Sequence, residues 1–352
     1  MLGYLLKRLL LMIPTLLGVL LITFMVTQFV PGGPVEQMLA ELRGTSSAAE
    51  VSGGSHSGFY RGASGLDEER LAELKALYGF DKPAHERFLE MLGRYLRFDL
   101  GESYFHHQSV TELILSKLPV SISLGVWTFL LTYLISIPLG IAKAVRDGST
   151  FDVITSTLIL VGYAIPGFVL GVTLLVLFGG GSFWDLFPLR GLVSDGWESL
   201  PWWQQILDYL WHLVLPITAS VVGSFAVMTM LTKNSFLEEI KKQYVITARA
   251  KGVSERGVLY GHIFRNATIP LVTGFPAAFI GAFFTGSLLI ETIFSLDGLG
   301  LLSYESVMKR DYPVVLGSLY LFTLMGLMAK LITDFCYVWI DPRIQFQSLG
   351  RH

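Results

Sequence analysis

KKQYVITARAKGVSERGVLYGHIFRNATIP, Lys241–Pro270, is a polar stretch set between two long apolar runs. A few residues are enough to join two transmembrane helices, so a connection of this length carries structure of its own. Tyr244–Ala250 consists of helix-tolerant residues, and Gly252 stands where a C-terminal cap belongs. Ser254 is placed to cap a second short helix running to about Phe264. Helix, glycine elbow and helix predict a compact knob on the membrane surface, carrying Lys241, Lys242, Arg249, Lys251, Arg256 and Arg265. Two readings fit such a knob equally: a docking element for a soluble partner, or a basic loop resting on anionic lipid head groups.

The rest of the chain supplies the membrane. Of its 352 residues 52% are hydrophobic and 15% charged, against roughly 25% charged in soluble domains; mean hydropathy is +0.56. A span of the hydrocarbon core takes about 20 apolar residues. Six segments meet this: Leu9–Val30, Leu118–Ala142, Val153–Phe178, Leu210–Leu231, Leu271–Ile293 and Val314–Ile340. The first is longer than a signal-peptide core and is followed by Pro31-Gly32-Gly33-Pro34 rather than a small-residue cleavage site, so it reads as a retained helix. The fold class expected is all-α, a polytopic membrane protein with six transmembrane helices. The single cysteine, Cys336, lies in an apolar run and excludes an intramolecular disulfide. The net charge of −2 points to no nucleic-acid partner.

Lys and Arg in short loops set orientation. Lys7, Arg8, Lys143, Arg146, the Lys241–Pro270 loop and the tail with Arg343 and Arg351 share one side, read as cytoplasmic with both termini. Trp197, Trp202, Trp203 and Trp211 form an aromatic belt opposite. The domain plan is an N-terminal helix (1–30), an extracytoplasmic segment (31–117), a five-helix core (118–340) with the loop at 241–270, and a tail (341–352). Within the outer segment, Gly44–Gly65 is a Gly/Ser-rich flexible insertion. A helix capped by Asp67 follows with Leu66, Leu71, Leu74 and Leu77 at helical spacing, then a second at about Ala84–Leu96 with Phe88, Leu92, Tyr95 and Leu96. These helices suit a cap on the bundle or part of a receptor-docking surface.

ARAKGVSE at Ala248–Glu255, followed by His262, Arg265, Asn266 and Pro270, resembles the cytoplasmic coupling loop of ABC importer permeases of the oligopeptide and dipeptide branch. The general pattern begins Glu-Ala-Ala; here Ile246, Thr247 and Ala248 occupy those positions, a departure usual in the peptide branch. Further markers run along the chain: Gly79-Phe80-Asp81-Lys82-Pro83, Phe98–Ser103, Leu118-Pro119, Ile137–Gly140, Ala164–Phe168, Glu291–Phe294 with Gly298-Leu299-Gly300, Arg310–Pro313 and Asp341-Pro342-Arg343. The insertion and LFPLRGLV at Leu186–Val193 resemble the Yej-type branch, known for oligopeptides and microcin C. The resemblance implies a type I ABC importer permease forming half of a translocation pathway in the bacterial inner membrane. It implies as partners a second homologous permease, a cytoplasmic ABC ATPase holding ATP and Mg, an extracytoplasmic peptide-binding protein, a peptide substrate and membrane lipid. By resemblance, ATPase contact falls on Tyr244, Ala248, Ala250, Lys251, Gly252, Val253 and Ser254.

No phosphate-binding loop of the form G-x-x-x-x-G-K-[ST] occurs, so an ATP motor must be another polypeptide, and no catalytic site or cofactor is expected in this chain. Lys330 and Asp334 lie one turn apart inside the sixth span, as a structural pair or as pathway groups. Glu291 is a further pathway candidate or a cap for the outer loop. His106-His107 lacks additional ligands at metal-binding spacing and reads as a solvated loop. Gly179-Gly180-Gly181 reads as a turn, and no G-x-S-x-G hydrolase motif is present. The alternatives are a nickel or other small-solute ABC permease and a secondary transporter working without an ATPase, the latter calling for inverted repeats that are not evident.

Overall fold

The computed structural model describes residues 2–29, 82–179, 183–284 and 287–340. The 44–65 insertion, the helix expected after Asp67 and the 341–352 tail lie outside these residues. The described chain is helical: α1 (Leu2–Phe29), α2 (Ala84–Tyr95), α3 (Val110–Val145), α4 (Thr150–Ala164), α5 (Gly167–Phe178), α6 (Trp202–Ile240), α7 (Gln243–Ala250), α8 (Glu255–Ala267), α9 (Ile269–Phe284), α10 (Leu288–Ile293), α11 (Leu299–Met308) and α12 (Tyr312–Ile340). Among the described residues four helices are long and apolar enough to cross a membrane, and up to six spans result if each of two bent pairs counts as one.

The expected third span is broken. α4 and α5 meet at 91°. Pro166 disfavours helical backbone at the preceding residue, and Ile165 is extended at φ −86°, ψ 118°. The fifth span, expected as one run from Leu271 to Ile293, opens just after the second bend, where α8 and α9 meet at 52°. α3 and α6 are longer than their apolar cores. The 39 residues of α6 reach about 58 Å at 1.5 Å per residue, past a hydrocarbon layer of about 30 Å.

Residues of the chain form two compact units. The larger comprises Met1–Leu5, Lys117–Leu302 and Met325–His352. One of its cores joins Leu124 of α3, Leu213, Leu215, Ile217 and Ala219 of α6, and Ile290 of α10 with Phe294 and Leu296 just after it. The Nε1–H of Trp127 donates to the Tyr209 hydroxyl at 3.1 Å beside it. Of the expected aromatic belt, Trp202, Trp203 and Trp211 are exposed, whereas Trp197 turns in and donates to the Gln205 carbonyl.

The smaller unit comprises Leu6–Ser116 and Ser303–Leu324. α2 forms where helical spacing places it. Met91 and Tyr95 are its buried face, while Leu96, expected on that face, is 83% exposed. Phe24 meets Phe88 at 5.2 Å between ring centroids, and Tyr95 meets Tyr320 at 5.0 Å. The buried Asp311 carboxylate accepts the Ser103 hydroxyl and the Tyr104 N–H, which fastens the 98–109 loop to the start of α12. His106 and His107 are exposed in that loop.

Candidate functional site

The polar stretch forms the elbow that its residues predict. Val245 and Ala248 stand three apart on α7, hence on one face, and both are buried. They join Ile141 and Ala144 of α3, Phe236 of α6 and Val258, Ile263 and Ala267 of α8 in one apolar core. At the end of α7 the Gly252 N–H donates to the Arg249 carbonyl at 2.9 Å and the Val253 N–H to the Ala248 carbonyl at 3.3 Å. This double closure needs a left-handed residue, and Gly252 has φ +79°. The Ser254 hydroxyl then accepts the Gly257 N–H at 3.3 Å and caps α8. The middle of α8, Val258–Ile263, is wound as a π-helix.

Charged contacts lock the elbow from outside. Arg249 bonds Glu255 with two parallel contacts, Nε to Oε1 at 3.0 Å and Nη2 to Oε2 at 3.1 Å, across the glycine turn. The Tyr244 hydroxyl donates to Glu239 Oε2 at 2.7 Å. Lys242 pairs with the other oxygen of Glu239, and that hydrogen bond raises the pKa of its ammonium. Among the residues expected to contact an ATPase, Ala250, Lys251, Gly252, Val253 and Ser254 are exposed. Ala248 points into the core and Tyr244 is half-buried, so both hold the elbow to the bundle rather than present themselves outward. Ile246, Thr247, Arg249 and Arg256 complete the outer face. The periodicity of α7 carried that inward face, but only the surrounding helices reveal which side is covered.

The larger unit also bears an open cavity of about 850 Å³. Its walls are Thr128, Phe129, Thr132 and Tyr133 of α3, Tyr163, Gly167 and Phe168 at the α4–α5 bend, Ser220, Gly223 and Ser224 of α6, and Ala278, Ala282 and Ile290 of α9 and α10. Among the described residues no Asp, Glu, Lys, Arg or His lines it. In its wall α3 and α9 nearly touch: a Cβ on Gly125 would lie 1.6 Å from the Ala282 carbonyl oxygen.

Glu291 does not line this cavity. Its side chain is fully buried, and its two oxygens accept the Ser287 N–H at 3.1 Å and the Leu301 N–H at 2.7 Å. It therefore caps the start of α11, the favourable end for a carboxylate. Gly298 leaves the necessary room, since a Cβ there would fall 2.6 Å from the Glu291 carboxyl carbon. Glu291→Ala is expected to cost about 1–3 kcal/mol for each donor it strands. Thermal unfolding of the detergent-solubilised protein measures this, and an unchanged midpoint would contradict the capping role. Lys330 is exposed and Asp334 half-buried on α12, and the ion pairs among the described residues do not join the two.

Known proteins resemble this chain in sequence. The model of the binding-protein-dependent transport system inner membrane component matches residues 136–346. The chain is 59% identical to the peptidoglycan transport system permease protein YejB of Agrobacterium fabrum, over 98% of each chain. It is 55% identical to the inner membrane ABC transporter permease protein YejB of Escherichia coli, over 98% of this chain and 99% of that one. The dipeptide transport system permease protein DppB of Escherichia coli is 33% identical, over 99% of this chain and 100% of its own. The chain belongs to the family of inner membrane components of binding-protein-dependent transport systems.

Proposed function

We propose that this chain is one permease subunit of an ATP-driven ABC importer for oligopeptides. The observation that carries the reading is a rigid exposed elbow, packed directly on cavity-bearing helices, in a chain that has no phosphate-binding loop of its own. The names of the relatives, which refer to dipeptide and peptidoglycan transport, support peptides as cargo. A cavity whose described lining holds no Asp, Glu, Lys, Arg or His suits a pathway that leaves recognition of cargo charge to a binding protein.

In this reading the elbow and both termini face the cytoplasm. A separate ATPase, holding ATP and Mg, receives Ala250–Ser254 together with Ile246 and Thr247. Small residues and a glycine let its backbone come close, and Lys251 and Arg256 meet its acidic rim. A homologous second permease supplies the other half of the pathway, and a binding protein delivers peptide from outside. Closure of the ATPase displaces the elbow, and the bundle alternates its access.

The test is uptake of a labelled tripeptide into proteoliposomes containing the two permeases and the ATPase, with the binding protein added. Uptake that requires ATP and the binding protein is expected. Uptake that is indifferent to ATP would overturn the proposal in favour of a secondary transporter.

A further inference from the structure

A buried charge cluster lies at the end of the bundle where the elbow docks. Lys143 of α3 is 0% exposed. Its ammonium donates to the Asp152 carbonyl at 3.0 Å, to Thr155 Oγ1 at 2.7 Å and to Ser156 Oγ at 2.7 Å. It also stands 3.0 Å from Asp152 Oδ1. Lys233 of α6 donates to Asp152 Oδ2 at 2.7 Å and reaches Asp147 at 3.0 Å. The Gly148 N–H adds a third donor to that carboxylate at 3.2 Å. Asp152, itself 5% exposed, is thus the node that ties α4 to α3 and α6.

Stability alone does not explain such a cluster. Well-packed apolar residues in place of a buried ion pair are often no less stable. What charge-assisted hydrogen bonds add is direction, whereas apolar contact is non-directional and lets helices slide. The location gives direction a use. Lys143 lies between Ile141 and Ala144, and Lys233 lies one turn before Phe236, and those three residues pack against Val245 and Ala248 of α7. From Asp152, α4 runs to the bend whose Tyr163, Gly167 and Phe168 line the cavity.

We propose that Lys143, Asp152 and Lys233 form the joint through which displacement of the elbow reaches the α4–α5 bend and so the cavity wall. They are positioning residues and touch neither cargo nor nucleotide. This inference rests on the ATP-driven reading above. Apolar packing of the elbow moves the ends of α3 and α6, and the cluster obliges α4 to follow.

The experiment compares labelled tripeptide transported per ATP hydrolysed in proteoliposomes of the whole complex. Three forms are used: native, Asp152→Asn, and the paired change Lys143→Met with Asp152→Asn. The single change leaves Lys143 buried without its counter-charge and assembles poorly. The paired change removes charge in a matched way and leaves Lys233 with Asp147, so assembly and thermal midpoint are expected to stay native. Its peptide-to-ATP ratio is expected to fall about fivefold or more, the lower range for coupling between linked sites. A native ratio in the assembled paired variant would overturn the joint. Failure of that variant to assemble would overturn it too, by assigning the cluster to stability. ATP-independent uptake by the native complex is a distinct result, which sinks the importer reading itself and the joint with it.

Discussion

Gly252→Pro is expected to abolish ATP hydrolysis stimulated by the binding protein while the membrane helices remain inserted. Gly252 has φ +79°, and the proline ring holds φ near −65°. Proline also removes the N–H that donates to the Arg249 carbonyl. The turn that aims α8 away from α7 is then lost, and with it the approach of Arg249 to Glu255. The core beneath, with Val245 and Ala248, lies before the substitution and keeps α7 seated. Alanine separates the causes. Nothing lies within 4 Å of a Cβ at Gly252, so Gly252→Ala meets only the left-handed backbone cost of about 1–2 kcal/mol and is expected to retain most stimulation. Co-purification of permease and ATPase checks assembly, and stimulated turnover checks coupling. Full stimulation with proline would refute the elbow as the ATPase contact.

Gly125→Ala is expected to be the most damaging single-methyl change in the cavity wall. An added Cβ would meet the Ala282 carbonyl oxygen at 1.6 Å and its carbon at 2.5 Å. These are backbone atoms of a helix and cannot rotate away. α3 and α9 must separate, at a cost at or above the about 1–3 kcal/mol typical of overpacking. Membrane helices associate largely through such close packing of small residues, so the loss falls on assembly as well as on cavity shape. Gly223→Ala is the matched control. It lines the same cavity, yet nothing lies within 4 Å of its added Cβ. The measurement is thermal unfolding of both variants in detergent together with their peptide uptake. Equal midpoints for the two would refute the close α3–α9 contact.

Much of the elbow was legible in the sequence because its determinants are local. A glycine after a run of helix formers and a serine two residues later are signals read within one turn of chain, and Gly252 and Ser254 behave as those signals say. The apolar runs were legible for a similar reason, since length and composition suffice to bury a helix in lipid. The same averaging hid their breaks. An apolar run looks continuous through Ile165-Pro166, yet the structure turns by 91° there because proline acts on the backbone of its neighbour. Ala248 shows a further limit. Resemblance assigns it to the ATPase contact, and local sequence does not show that its side chain packs against α3 and α6.

By itself, then, the sequence determined that this chain is a bundle of membrane helices carrying a capped basic elbow, because helix propensity, capping and hydropathy act between near neighbours. Tertiary structure alone decided what the polar residues within the bundle do. Glu291 became a cap when Leu301 came within reach. Lys233 found Asp152 across 81 residues of chain. Burial makes an unpaired charge costly, and which partner relieves that cost depends on how helices far apart in sequence come to lie side by side.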